Sequence, residues 1–140
     1  MSKSFHKLSF TFFLLSTLTL GMIACNTLFP TNFLSGTLTK SGVEGKTAYV
    51  KVVARGAAYT AEPLYFTTTD FSEGSASFSI SYVKADEYTV WIFIDANDTA
   101  AGDETSLPDP GDYGTDGGRD INMASDQTVN VGESDWNLLK

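Results

Sequence analysis

The residues with chemistry to offer in this chain are mostly carboxylates. Asp95 to Asp120 (DANDTAAGDETSLPDPGDYGTDGGRD) is a 26-residue stretch with eight acids, namely Asp95, Asp98, Asp103, Glu104, Asp109, Asp112, Asp116 and Asp120, against Arg119 alone. Crowded carboxylates repel unless a cation or a spread geometry offsets them. Ca²⁺ is the natural offset, because it takes six to eight oxygens from carboxylates, Asn side chains and backbone carbonyls. Asp95 and Asn97 have the D-x-N spacing that opens many such sites. A full EF-hand loop counted from Asp95 would need Gly at its sixth place and Glu at its twelfth, where Ala100 and Ser106 stand.

Other chemistries are excluded by count. The single His is His6 and the single Cys is Cys25. No intramolecular disulfide, zinc finger, Cys/His pair or Ser-His-Asp triad can be assembled downstream of them. A carboxylate pair of the glycosidase kind is the only catalysis the residues permit. Its acids lie in one loop rather than across a cleft, so the chain is expected not to be an enzyme. Nine Lys and Arg against 17 Asp and Glu also exclude a nucleic-acid partner.

The N-terminus reads as an address. Met1 to Lys7 carries Lys3 and Lys7 and no acid, and Leu8 to Ala24 (LSFTFFLLSTLTLGMIA) carries no charge over 17 residues. That is the layout of a secretory signal peptide, and as a helix it reaches only about 25 Å, short of the ~30 Å hydrocarbon core. It runs into Met22-Ile23-Ala24-Cys25, which resembles the lipobox of bacterial lipoproteins. The resemblance implies cleavage before Cys25, a diacylglycerol thioether on its sulfur and a further acyl chain, palmitate-like, on its new amino group. Two or three chains anchor stably where one does not. Residues 1–24 are therefore expected to be removed, with 25–32 an acylated Cys and short tether and 33–140 the folded body.

The body retains seven basic and all 17 acidic side chains, a balance of −10. Anionic headgroups repel such a surface, so the lipid must hold it at the bilayer. Asn26, rather than Asp, follows the lipidated position, which in the enterobacterial sorting scheme points to the outer membrane.

Within the body the hydrophobic period is two. Ser75 to Tyr82 alternates strictly, with Ala76, Phe78, Ile80 and Tyr82 expected inward and four serines outward. Thr47 to Arg55 is expected to bury Ala48, Val50, Val52 and Ala54 and to expose Tyr49, Lys51, Val53 and Arg55. Leu64 to Thr69 puts Leu64, Phe66 and Thr68 opposite Tyr65 and Thr67. Phe33 to Lys40 opens the sheet, with Gly36 at a bulge or close approach. Tyr88 to Ile94 is apolar on both faces, which marks a strand covered twice, with Trp91 and Phe93 under the long loop. Asp120 to Met123, Gln127 to Val131 and Asp135 to Leu139 complete the set, Trp136 plugging the core or an edge. Tyr49, Tyr59 and Tyr65 read first as ordinary strand and loop positions; an exposed aromatic face on neighbouring strands, which would mark a binding surface, is the lesser alternative. Short strands and no helical window predict an all-β antiparallel sandwich of about seven strands.

The order "SGTLTKSGVEGKTAYVKV … FSISYVKADEYTVWIFIDAN … PDPGDYG … TVNV … WNLL" is similar to bacterial prealbumin-like domains, including carboxypeptidase-regulatory and collagen-adhesin B-type modules. It covers about Ser35 to Leu139 and implies a sandwich, not an activity. Pro108 to Asp112 (PDPGD) resembles the closing half of calcium loops in those domains. The metal ligand set this implies is Asp95, Asn97, Asp103, Asp109 and Asp112, with Asp98 and Asp116 in reserve; a solvated acidic loop that holds no specific ion is the competing reading and slightly the stronger. Extracellular modules of that type bind Ca²⁺ at roughly 10⁻⁴–10⁻³ M. The chain is thus expected to be a lipid-anchored bacterial envelope protein with a structural or binding sandwich. Its partners would be the bilayer and an envelope or host protein; a small-ligand or glycan-binding module is the alternative.

Overall fold

The computed structural model describes residues 32–140. The lipobox, Cys25, the signal segment and the tether up to Thr31 lie outside the described residues. The body is all-β, built from β1 (Asn32–Thr39), β2 (Thr47–Ala54), β3 (Tyr65–Asp70), β4 (Ser75–Val83), β5 (Glu87–Asp95), β6 (Tyr113–Thr115), β7 (Arg119–Asn122), β8 (Gln127–Thr128) and β9 (Trp136–Leu138). One sheet has the order β4-β1-β8. The other has the order β3-β2-β5-β6-β9, with β7 also on β5. Pairing is antiparallel except between β1 and β8.

The two sheets enclose a core of Leu34, Leu38, Val50, Val52, Phe78, Ile80, Val90, Ile92, Ile94, Met123, Val129 and Val131, with neighbours. The period-two pattern of β1, β4 and β5 dictates this, since alternate side chains share a face. Gly36 is the close approach expected of it: a Cβ there would lie 1.9 Å from the Val129 carbonyl oxygen and 2.6 Å from the Phe78 ring. Val129 and Val131 point inward, as read. Trp136 is buried, and its indole N–H donates to the Thr39 carbonyl across the sandwich at 2.9 Å. A polar tie between the two sheets is thus added to the plug role.

Four expectations need correction. First, β2 is buried on both faces: Tyr49, Lys51 and Val53 are as enclosed as Val50 and Val52. Strict alternation presumes one wet face, and the outer face of β2 is covered by the loop after β5. Second, Tyr82 points to solvent and Val83 replaces it inside. Tyr82 has φ +62° and the β1–β4 register shifts beside it, so a one-residue irregularity flips the strand end. Third, Tyr65 faces the core, edge-on to Tyr88 at 5.8 Å, and Leu64 is exposed. The acidic stretch is not one loop either: β6 lies inside it and β7 begins before it ends.

Candidate functional site

Seventeen residues, Ala96 to Asp112, connect β5 to β6 and lie over the outer face of β2 and β5. A loop of this length has many backbone N–H groups to satisfy. Here side-chain oxygens satisfy them. Asp95, at the end of β5, accepts from Thr99 N–H at 3.0 Å and from Ala100 N–H at 3.1 Å, one oxygen to each. Asp98 follows at φ +59°, a left-handed position that Asp tolerates, and its carboxylate pairs with Lys46 at 2.6 Å.

Asp112 closes the loop. It is fully buried, and its two oxygens accept from Ala96 N–H and Asp109 N–H, each at 3.0 Å. Burial pushes its pKa up; the two N–H donors work against that, and the charges of Asp109 and Asp95 add to it. Asp109 behaves oppositely. Asn97 donates to one of its oxygens and the Thr99 hydroxyl to the other, both at 2.7 Å, and these bonds hold its carboxyl below the usual range. The Leu139 N–H donates to Asp112 O at 2.9 Å, and the Gly111 N–H to Leu139 O at 3.1 Å, so the end of the loop is tied to the strand order β6-β9.

The middle of the loop is a second, smaller turn. Asp103 accepts from the hydroxyl and the N–H of Thr105, which lower its pKa. The buried Ser106 hydroxyl accepts from Gly102 N–H and Asp103 N–H at 3.1 and 3.2 Å. Beneath it Tyr49 stacks on Phe93, with centroids 4.7 Å apart and planes 6° from parallel. Burial raises the Tyr49 pKa, and the Asp95 charge raises it further. Lys51 shares this covered face. Burial depresses its amine, while the charges of Asp103 and Glu104 act the other way.

The sequence-derived metal ligands are therefore divided. Asp95, Asn97, Asp109 and Asp112 fall within one hydrogen-bonded network. Asp103 belongs to the Thr105–Ser106 turn beside Lys51, and Asp116 is exposed beyond β6. Among the described residues no group of three or more His, Cys, Asp and Glu side chains is placed to hold a metal ion. The carboxylate oxygens of Asp95, Asp109 and Asp112 each accept a bond and retain a second lone pair. Thr99, Ser106 and Lys51 were missed as parts of the site. No spacing in the sequence marked them.

A half-open cleft of about 380 Å³ lies beside the loop. It sits where β5 changes partner: β6 pairs with Phe93 and Ile94, and β7 with Glu87 to Val90, so Trp91 and Ile92 are left between them. Trp91 forms one wall. Its indole N–H donates to Ala57 O at 2.9 Å, and Tyr59 meets it edge-on at 5.9 Å. Gly118 lets the chain lie flat on that ring, since a Cβ there would be 2.8 Å from the indole and 2.2 Å from Thr89. Pro108, Asp109 and Pro110 line the cleft from the loop, and Leu139 and Lys140 from the segment after β9. Tyr49, Tyr59 and Tyr65 form no shared exposed face: Tyr49 is buried, Tyr65 packs on the core and only Tyr59 is exposed. The aromatic pair open to solvent is Tyr59 with Trp91, which the alternating pattern had placed on unrelated segments.

Comparisons of the chain with protein-family models, with curated proteins and with solved structures found no match.

Proposed function

We propose that this chain is a bacterial lipoprotein whose β-sandwich serves as a non-catalytic binding or structural module at the cell envelope. The observation that carries the reading is Met22-Ile23-Ala24-Cys25, at the end of an uncharged 17-residue segment and on the only Cys of the chain. The first described strand begins at Asn32, seven residues after Cys25. The body's balance of −10 also favours a covalent lipid over surface attraction. The non-catalytic reading is supported by the placing of its acids in one loop, where Asp95 and Asp112 hold backbone N–H groups of that loop. Sorting to the outer membrane follows from Asn26.

The test is metabolic labelling with a fatty acid in the native host, followed by membrane fractionation. Wild type is expected to take up the label and to sediment with membranes. Cys25→Ala is expected to lose the label and accumulate as uncleaved precursor. Label retained in Cys25→Ala would overturn the reading.

Calcium in the loop is a second reading, favoured by one feature. Asp95, Asp109 and Asp112 share one hydrogen-bonded network through Ala96, Thr99 and the Asp109 N–H, although they are not gathered into a ready ligand cluster. No Lys or Arg forms an ion pair with any of them among the described residues. A cation bound there would relieve the repulsion among these carboxylates.

A further inference from the structure

We infer that the cleft between Trp91 and the Pro108–Pro110 segment is a receptor for a guanidinium side chain, an arginine presented by a basic partner peptide. This deepens the reading of the sandwich as a binding module and is independent of how the chain is anchored.

The volume, about 380 Å³, lies within the range of small-ligand sites. Its chemistry selects the occupant. Trp91 and Tyr59 offer aromatic surface, and Trp is the best cation–π partner among side chains. Guanidinium is planar and weakly hydrated, so it stacks on such rings with less loss of solvation than an ammonium group. Asp109, which lines the same cleft, has each oxygen fixed by one donor, from Asn97 and Thr99. A pre-oriented carboxylate is the partner that guanidinium recognises. The surrounding loop carries the densest negative charge in the chain, which raises the local concentration of cations.

A saccharide fits less well. The Trp91 N–H is committed to Ala57 O, which leaves a sugar the ring face to stack on and few groups to bond its hydroxyls. Asp109 and Thr115 supply the cleft's polar side chains apart from the Tyr59 hydroxyl and Lys140. Lys140 is the one basic side chain there and competes with an incoming cation.

The experiment uses the full ¹⁵N-labelled chain in detergent micelles, titrated with the blocked peptide Gly-Arg-Gly, its uncharged citrulline counterpart and maltotriose. Trp91 and Trp136 each give an indole N–H resonance, so the buried Trp136 is an internal control. The Trp91 resonance is expected to move saturably with the arginine peptide and not with citrulline or maltotriose. Affinity should fall as salt rises. Tyr59→Ala, at an exposed position, should weaken binding about two- to thirtyfold, the span of a cation–π contact. Asp109→Asn should weaken it as well, and Lys140→Ala should tighten it. A Trp91 response to maltotriose but not to arginine, an equal response to citrulline, or no response to any probe would overturn the inference. Failure of Cys25 acylation would leave this result unchanged, so the two readings fail separately.

Discussion

Strands β2 and β5 have two buried faces, and the two are held by different physics. The inner face packs Val50, Val52, Val90, Ile92 and Ile94 against Leu34, Leu38 and Phe78 of the opposite sheet. It is apolar and depends on area removed from water and on close packing. The outer face holds Tyr49 and Lys51, with Phe93 stacked on Tyr49, under a polar loop. What keeps that loop down is a set of carboxylate-to-amide bonds centred on Asp95 and Asp112. Hydrophobic packing specifies the sandwich, whereas buried polar satisfaction specifies the shape of its one elaborate surface. The cleft forms where that surface meets the gap between β6 and β7.

The largest effect that sharpens this contrast is expected in the core. Leu38→Ala should destabilise the fold by about 2–5 kcal/mol, seen as a lower urea midpoint with all amides opening together. Gly36→Ala acts at the same interface, since its Cβ would meet the Val129 carbonyl, and should cost about 1–3 kcal/mol. Asp112→Ala tests the other face. It orphans Ala96 N–H and Asp109 N–H at about 1–3 kcal/mol. Hydrogen exchange should quicken over residues 96–112 and stay slow in β1 and β4. Equal loss of protection in both sheets would merge the two faces into one cooperative unit.

The pH response should divide in the same way. Asp103, Asp109, Glu133 and Asp135 have carboxyls below their ordinary values, set mainly by hydrogen bonds from Thr105, Asn97, Lys40 and the Gly132 N–H respectively. Each contributes stability above the unfolded-state value near 4 that is lost as pH falls through its folded value. Asp112 has the opposite sign, because its raised value makes protonation favour the folded state. Melting temperature should therefore fall below about pH 4, and Asp109→Asn should flatten that fall. Calcium is expected to have the smallest effect. At ten times a Kd in the millimolar range it should add about 1.4 kcal/mol, and Asp109→Asn should abolish the gain. An unchanged melting temperature would leave hydrogen bonds as the loop's sole support.

Much of the inner face was legible in the sequence. Ala76, Phe78 and Ile80 alternate with serines, Gly36 stands where a side chain has no room, and Trp136 plugs the core. The outer face was not. The same alternation that buried Val50 assigned Tyr49 and Lys51 to solvent, because periodicity reports the strand and not what a remote loop lays over it. The double apolarity of Tyr88 to Ile94 did disclose a covered face on β5, and β2 is its hydrogen-bonded neighbour. β6 was hidden by its composition, three residues around Gly114 within an Asp- and Gly-rich stretch. The acids of the loop were visible, but their division into two turns depended on Thr99, Thr105 and Ser106, whose hydroxyls carry no pattern.

The claim on which the functional account depends is the lipid at residue 25, and intact mass spectrometry of the protein from its own host membranes tests it most directly. The account predicts a chain that begins at Cys25 and is heavier than its peptide by a diacylglycerol and an acyl group. A mass corresponding to a chain from Met1, or to an unmodified thiol at Cys25, would contradict it.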